Sequence, residues 1–293
     1  MGALNVMSCG RVPGRACLLV AVACVPQLAA CASAPREPWV LASDELRGSP
    51  ARHMEQVGSY PEAVATGIYI MERELGLPRP QARFVFVPDD QTFEAQLLQI
   101  GYPEDLARNA SQLMTAIGGH RAVLVNEQRL SRQPWPGRMV TLAHELTHVL
   151  QYELGGGTRG TSAQWLREGF AEWVAMRVMA TLGQIDPLAV RREAIMRVRA
   201  AAPAEQFARL DALATFPAWV DQSRRPAGSR LYDFALIGAT ALVERHGLDA
   251  VLGYFRRFAA RQDPAANFLD AFGETERAFE TTFRGIVWGG RDR

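Results

Sequence analysis

The chain has 293 residues, 48% of them hydrophobic and 22% charged, with 32 Lys+Arg against 31 Asp+Glu. That balance excludes a disordered tail, a collagen-like rod and a coiled coil, and the length is enough for one large domain or two modest ones, each with its own core. The formal charge of +1 builds no cationic surface for a polyanion, so nucleic acid is not an expected partner.

Residues 1–30 read as a secretory signal: Arg11 and Arg15, then the apolar run Ala16 to Val25, then small residues. The apolar run is too short for a membrane span. It closes on Leu28-Ala29-Ala30-Cys31, which resembles the lipobox of bacterial lipoproteins. That resemblance implies cleavage before Cys31, acylation of Cys31 and a membrane anchor of two or three chains. Ala32 stands where an aspartate would retain a lipoprotein at the inner membrane, so the expected address is the outer membrane, facing the periplasm. Cys9, Cys17 and Cys24 all fall inside the signal. The mature chain then has no thiol free for a disulfide.

Residues 31–38 read as the lipidated cysteine and a tether, with a folded domain over 39–293. Val64, Ile68, Met71 and Leu75 predict a helix over Pro61 to Leu75 that packs on one stripe. A strand is expected at Arg83 to Val87, a helix from Asp89 through Ile100, and a second strand at Arg121 to Asn126, entered through the Gly118-Gly119 pair. From Gly137 onward the pattern is almost wholly helical. Strands early and helices late predict an α+β fold, with a sheet-containing part over 39–154 and a helical part over 155–293.

The chemistry concentrates in the helix expected over Met139 to Leu154. Met139, Leu142, Ala143, Leu146, Val149 and Leu150 mark its buried face. His144 and His148 lie on the other side, about 40° apart at 100° per residue, so both imidazoles can address one ion. With Glu145 between them they form His-Glu-Leu-Thr-His, the H-E-x-x-H pattern of zinc hydrolases. Glu145 cannot easily share the histidines' line, which suits a base acting on water at the metal rather than a ligand. A glycine-rich turn from Gly155 to Gly160 leads into a second helix near Ser162 that carries Glu168, twenty residues after His148. Folded back on the first helix, Glu168 completes two nitrogens and one oxygen around one Zn²⁺ and leaves a corner for water.

The stretch His-Glu-Leu-Thr-His-Val-Leu-Gln, 144 to 151, resembles the peptidase MA-like family of gluzincins. Trp165-Leu166-x-Glu168-Gly169-Phe170-Ala171 resembles the glutamate motif shared with the aminopeptidase branch. The resemblance spans roughly 120 to 250 and implies a zincin-like fold. It also implies zinc ligands at His144, His148 and Glu168, and Glu145 as general base and acid. Glu172, one turn after Glu168, corresponds to the carboxylate that holds the outer nitrogen of a ligand histidine. Gluzincins add a Tyr or His donor for the developing oxyanion, and Tyr232 stands at a remove similar to the aminopeptidase tyrosine.

The expected activity is zinc-dependent hydrolysis of peptide bonds in a protein or peptide substrate. The Gly-x-Met-Glu-Asn anchor of the aminopeptidase branch is absent from the chain, which points to an endopeptidase. The strand Arg121 to Asn126 is expected at the cleft edge, where it can pair with an extended peptide. The alternative is a zincin-fold lipoprotein that binds or scaffolds a partner with little turnover; an intact Glu145 argues against it. His120 reads as a loop histidine, His246 as a helix C-terminal residue, and Tyr152 and Tyr254 as packing residues. His53 has no patterned partner.

Overall fold

The computed structural model describes residues 37–46 and 50–289. The expected signal, Cys31 and most of the tether lie outside the described residues. Four strands form one mixed sheet: β1 (Trp39–Ala42), β2 (Arg83–Val87), β3 (Ala116–Gly119) and β4 (Ala122–Asn126), in the spatial order β1-β2-β4-β3. β2 and β4 are parallel, and the two outer strands run antiparallel to their neighbours. Between the first two strands lies helix α1 (Tyr60–Tyr69), which continues into a wider π-type turn over Ile70–Glu74. Between β2 and β3 come α2 (Asp90–Gln99) and α3 (Glu104–Leu113). Asp89 starts α2 by accepting the Thr92 N–H at 2.8 Å, as an N-cap carboxylate should.

The alternation of side chains along each strand separates two apolar layers. Phe84 and Phe86 of β2 and Val123 and Val125 of β4 face the main core. Val87 and Leu124 face the other way, onto Phe93 and Leu97 of α2 and Ala107 and Ala110 of α3. On β3, Ile117 joins this second layer and Ala116 the first, so Gly118, two residues on from Ala116, faces the main-core side.

After the short helix α4 (Glu127–Leu130), the chain is helical among the described residues: α5 (Trp135–Leu154), α6 (Gln164–Thr181), α7 (Pro187–Ala201), α8 (Phe216–Ser223), α9 (Leu231–His246), α10 (Leu248–Arg257), α11 (Pro264–Phe272) and α12 (Glu276–Trp288). The fold is therefore α+β, mainly helical with a small mixed sheet. α5 begins four residues before the expected Met139, because Pro136 sits in the first turn, where its missing N–H costs no helical bond. α5 ends at Gly155, and Gly156 and Gly157 reverse the chain at φ 73° and 87°, a conformation that side chains disfavour.

α6 is packed on several sides, against α5 and against α9. Trp165, Leu166, Phe170, Val174 and Val178 are all fully buried. Burial of each large side chain of this kind contributes on the order of 1.5–3 kcal/mol. Gly169 makes the α9 contact possible: a Cβ there would lie 2.1 Å from the Ala235 carbonyl oxygen. That close approach brings the start of α9, and with it Tyr232, beside Glu168.

Two expectations about the sheet are corrected. Gly118-Gly119 is not a turn leading into a strand but part of β3 itself; the turn is His120-Arg121, with Arg121 at φ 54°. The strand at 122–126 is not at the edge, since β2 and β3 flank it on either side. The edge belongs to β3, whose small residues let α5 pack directly against it. At Gly118 the glycine serves through its missing side chain and not as turn punctuation.

Candidate metal centre

α5 and α6 run back against each other, so His144 meets Glu168 and Glu172, while Gln151, two turns further along α5, meets Arg167. One turn of helix separates His144 from His148, and their Nε2 atoms approach to 3.1 Å. Glu168 Oε2 lies 3.2 Å from His144 Nε2 and 3.5 Å from His148 Nε2. Bonds of about 2.0–2.2 Å to a tetrahedral divalent ion put neighbouring ligand atoms about 3.3–3.6 Å apart. The three atoms are thus spaced to hold one small cation with shifts of a few tenths of an ångström.

The outer atoms of this triad are held as well. His144 Nδ1 is 3.0 Å from Glu172 Oε1. His148 Nδ1 is 2.9 Å from Gln151 Oε1, and the Gln151 amide donates to the Arg167 carbonyl at 2.9 Å. A proton on each Nδ1 leaves each Nε2 lone pair directed at the centre. Gln164 Nε2 donates to the second oxygen of Glu168 at 2.5 Å.

The electrostatics favour a positive charge at this point. Burial would lower the His144 pKa, but hydrogen bonds to Glu168 and Glu172 and the charges of Glu172 and Glu145 outweigh it and raise the pKa well above the ordinary value. Burial would raise the Glu168 pKa, and the His148 and His144 imidazoles hold it well below the usual carboxylate range. Carboxylates that favour a proton on an imidazole favour a metal cation there for the same reason.

Glu145 stands next to the triad without belonging to it. Its Oε2 accepts the Gly118 N–H at 2.5 Å, so the edge strand fixes the carboxylate. A Cβ on Gly118 would lie 2.6 Å from the Glu145 carbonyl oxygen and 2.9 Å from His148 Cβ, so only glycine lets β3 come this close. Tyr232, at the start of α9, has its ring centroid 6.2 Å from that of His144 and packs edge-on to Trp219 at 5.3 Å. The residue is 42% exposed and lines the cleft. Burial of the rest, with the charges of Glu168 and Glu172, pushes its phenol well above the ordinary pKa, so it remains a hydrogen-bond donor.

These groups line a cleft of about 500 Å³. The structure therefore brings His144, Glu145, His148, Glu168 and Tyr232 to one cleft, with Glu172 behind His144. Three neighbours were not singled out from the sequence. Gln151 and Gln164 carry a legible signal, each one helical turn from a ligand on the same helix. Gly118 is far away in the chain and carries none. Tyr152, expected as a packing residue, instead lines the cleft. Tyr254 is buried and its hydroxyl accepts the Ala163 N–H at 2.9 Å, at the entry to α6. His246 pairs with Glu274 at 3.0 Å, and His120 lies exposed in the β3–β4 turn.

Gln151→Ala removes the partner of the buried His148 Nδ1. It is expected to weaken metal binding by about 10–100-fold with the fold retained; a titration of the metal-free protein with zinc, followed by competition with a chelator, reads this directly. An unchanged affinity would show that the imidazole is aimed by packing alone.

No family model, curated protein or solved structure significantly matches the chain.

Proposed function

We propose that this protein is a zinc metallopeptidase with a zincin-like fold, an endopeptidase acting in the cell envelope. The observation that carries the reading is the convergence of His144 Nε2, His148 Nε2 and Glu168 Oε2 within 3.5 Å, with a further acid, Glu145, fixed beside them and outside the ligand set. Two imidazoles and one carboxylate suit zinc. Bound there, zinc supplies a Lewis acid that polarises a peptide carbonyl and makes water more acidic.

The chain's own groups supply the rest. Gly118 engages one oxygen of Glu145, leaving the other to take a proton from the attacking water and pass it to the departing amine. The Tyr232 hydroxyl donates a hydrogen bond to the oxygen that becomes negative as water adds. β3 has no partner strand on its outer side among the described residues, so its backbone can align an extended peptide beside the centre. In this reading the N-terminal signal and Cys31 anchor the enzyme at the outer membrane, facing the periplasm.

Tyr232→Phe keeps the ring and its edge-on packing with Trp219 and removes the hydroxyl. We expect kcat to fall by about 10²-fold, with KM and zinc content near wild type. Unchanged kcat would take Tyr232 out of the mechanism.

The function is tested by metal analysis together with digestion of casein or a peptide library. The reading expects one zinc per chain, cleavage that stops on chelation, and recovery when zinc is returned. Stoichiometric zinc with no cleavage under any condition would favour a binding or scaffold role.

A further inference from the structure

We infer that the cleft contains an anion subsite, formed by Arg159 and Arg167, that receives a carboxylate of the bound peptide. The identity of the ligand as a peptide rests on the peptidase reading above; the subsite itself rests on how these two guanidinium groups are housed.

Arg167 is only 3% exposed, yet no carboxylate lies within ion-pair distance of it among the described residues. Its hydrogen bonds are two long ones, from Nη1 to the Ser162 hydroxyl at 3.3 Å and to the Arg159 carbonyl at 3.4 Å. The guanidinium carbon lies 5.1 Å from the centre of the Tyr152 ring. Arg159 donates to the Gln164 side-chain oxygen and lies 5.4 Å from the centre of the Phe216 ring, again with no acid partner among the described residues. Both line the same cleft as the metal triad.

Several other arginines in the structure are paired with acids. Arg129 pairs with Asp90 at 2.7 Å, Arg197 with Asp233 at 2.6 Å, and Arg284 with Glu280 at 3.2 Å. Burying a guanidinium without a counter-charge costs free energy that an exposed arginine avoids. Glu168, the next residue in the chain, is the nearest compensation, and a divalent ion bound to it takes up that charge. The two guanidinium groups then face the cleft with unspent donors, in a planar fork that matches a carboxylate.

The apolar lining adds a second requirement. Leu106, Leu113, Met114 and Ile117 line the same cleft, and Leu113 is 71% exposed. The substrate class that fits is a peptide with an apolar residue and a carboxylate close to the bond that is cut. That carboxylate is either the free C-terminus or an Asp or Glu side chain.

The test measures binding, so it does not depend on turnover. Zinc-loaded Glu145→Gln protein is titrated with two pairs of short fluorescent peptides that share one apolar residue. One pair differs only in a C-terminal acid or amide, the other only in an internal Glu or Gln with the C-terminus amidated. At least one acid is expected to bind about tenfold or more tightly than its neutral twin. That ratio is expected to collapse towards one when Arg159→Gln or Arg167→Gln is added. Arg159 is the less buried of the two, so its variant keeps the test decisive if Arg167→Gln fails to fold.

Preference in the first pair identifies a C-terminal carboxylate as the ligand, and preference in the second identifies an acidic side chain. No preference in either pair, or a preference that survives Arg159→Gln, overturns the subsite. Cleavage by the wild type that depends on Glu145 but shows no such preference would leave the peptidase reading intact and remove only the subsite. An arginine-dependent preference in a protein that cleaves nothing would do the reverse.

Discussion

Glu145→Gln is expected to reduce peptide cleavage by about 10²–10⁴-fold while the protein keeps its fold and its zinc. The substitution conserves shape, and the glutamine oxygen can still accept the Gly118 N–H that now holds Oε2 at 2.5 Å. Glu145 supplies no atom to the triad, so the spacing of His144, His148 and Glu168 is left alone. What disappears is the ability to carry a proton between the water and the leaving amine. Initial rates on a casein or peptide substrate, with zinc measured in the same samples, give the comparison. Equal rates in variant and wild type would remove Glu145 from the chemistry.

Glu168→Gln should act at the preceding step and abolish tight metal binding, lowering affinity by at least about 100-fold. The side chain is buried, with one oxygen near both histidines and the other accepting from Gln164. Glutamine preserves the volume and one acceptor but loses the negative charge that, with two neutral imidazoles, offsets a divalent ion. The effect is readable without turnover. Zinc at about a hundred times its dissociation constant stabilises the wild type by about 2.7 kcal/mol, which in a domain of this size raises the melting midpoint by several degrees. The Glu168→Gln protein is expected to show little or no rise. A rise equal to that of the wild type would place the ion elsewhere.

The two sets of residues in the centre were legible to different degrees. His144, Glu145 and His148 could be placed from sequence because a helix converts spacing into direction, and the apolar stripe of α5 fixes which side they occupy. Glu168 followed because the glycine turn leaves the chain little choice but to run back. Gln151 lies on the same helix as its histidine and was readable in principle. Gly118 was not, since its role depends on β3 being inserted at the sheet edge between α3 and β4, a long-range arrangement with no local pattern. The same insertion moved the edge from the strand at 122–126 to the strand at 116–119. α3 was also missed: its buried positions are small, Ala107, Ala110 and Ser111, in a segment that is polar on average, so no apolar stripe marks it as a core helix. The cleft arginines are legible only in three dimensions, because what marks them is their place beside the metal triad without an ion-pair partner.

The account stands on three side chains from two helices sharing one ion, and anomalous scattering at the zinc absorption edge from crystals of the zinc-loaded protein tests that most directly. One peak is expected, about 2.0–2.2 Å from His144 Nε2, His148 Nε2 and a Glu168 carboxylate oxygen, with Glu145 beyond bonding distance. A peak that leaves Glu168 uncoordinated, or zinc bound only at other residues, would contradict it.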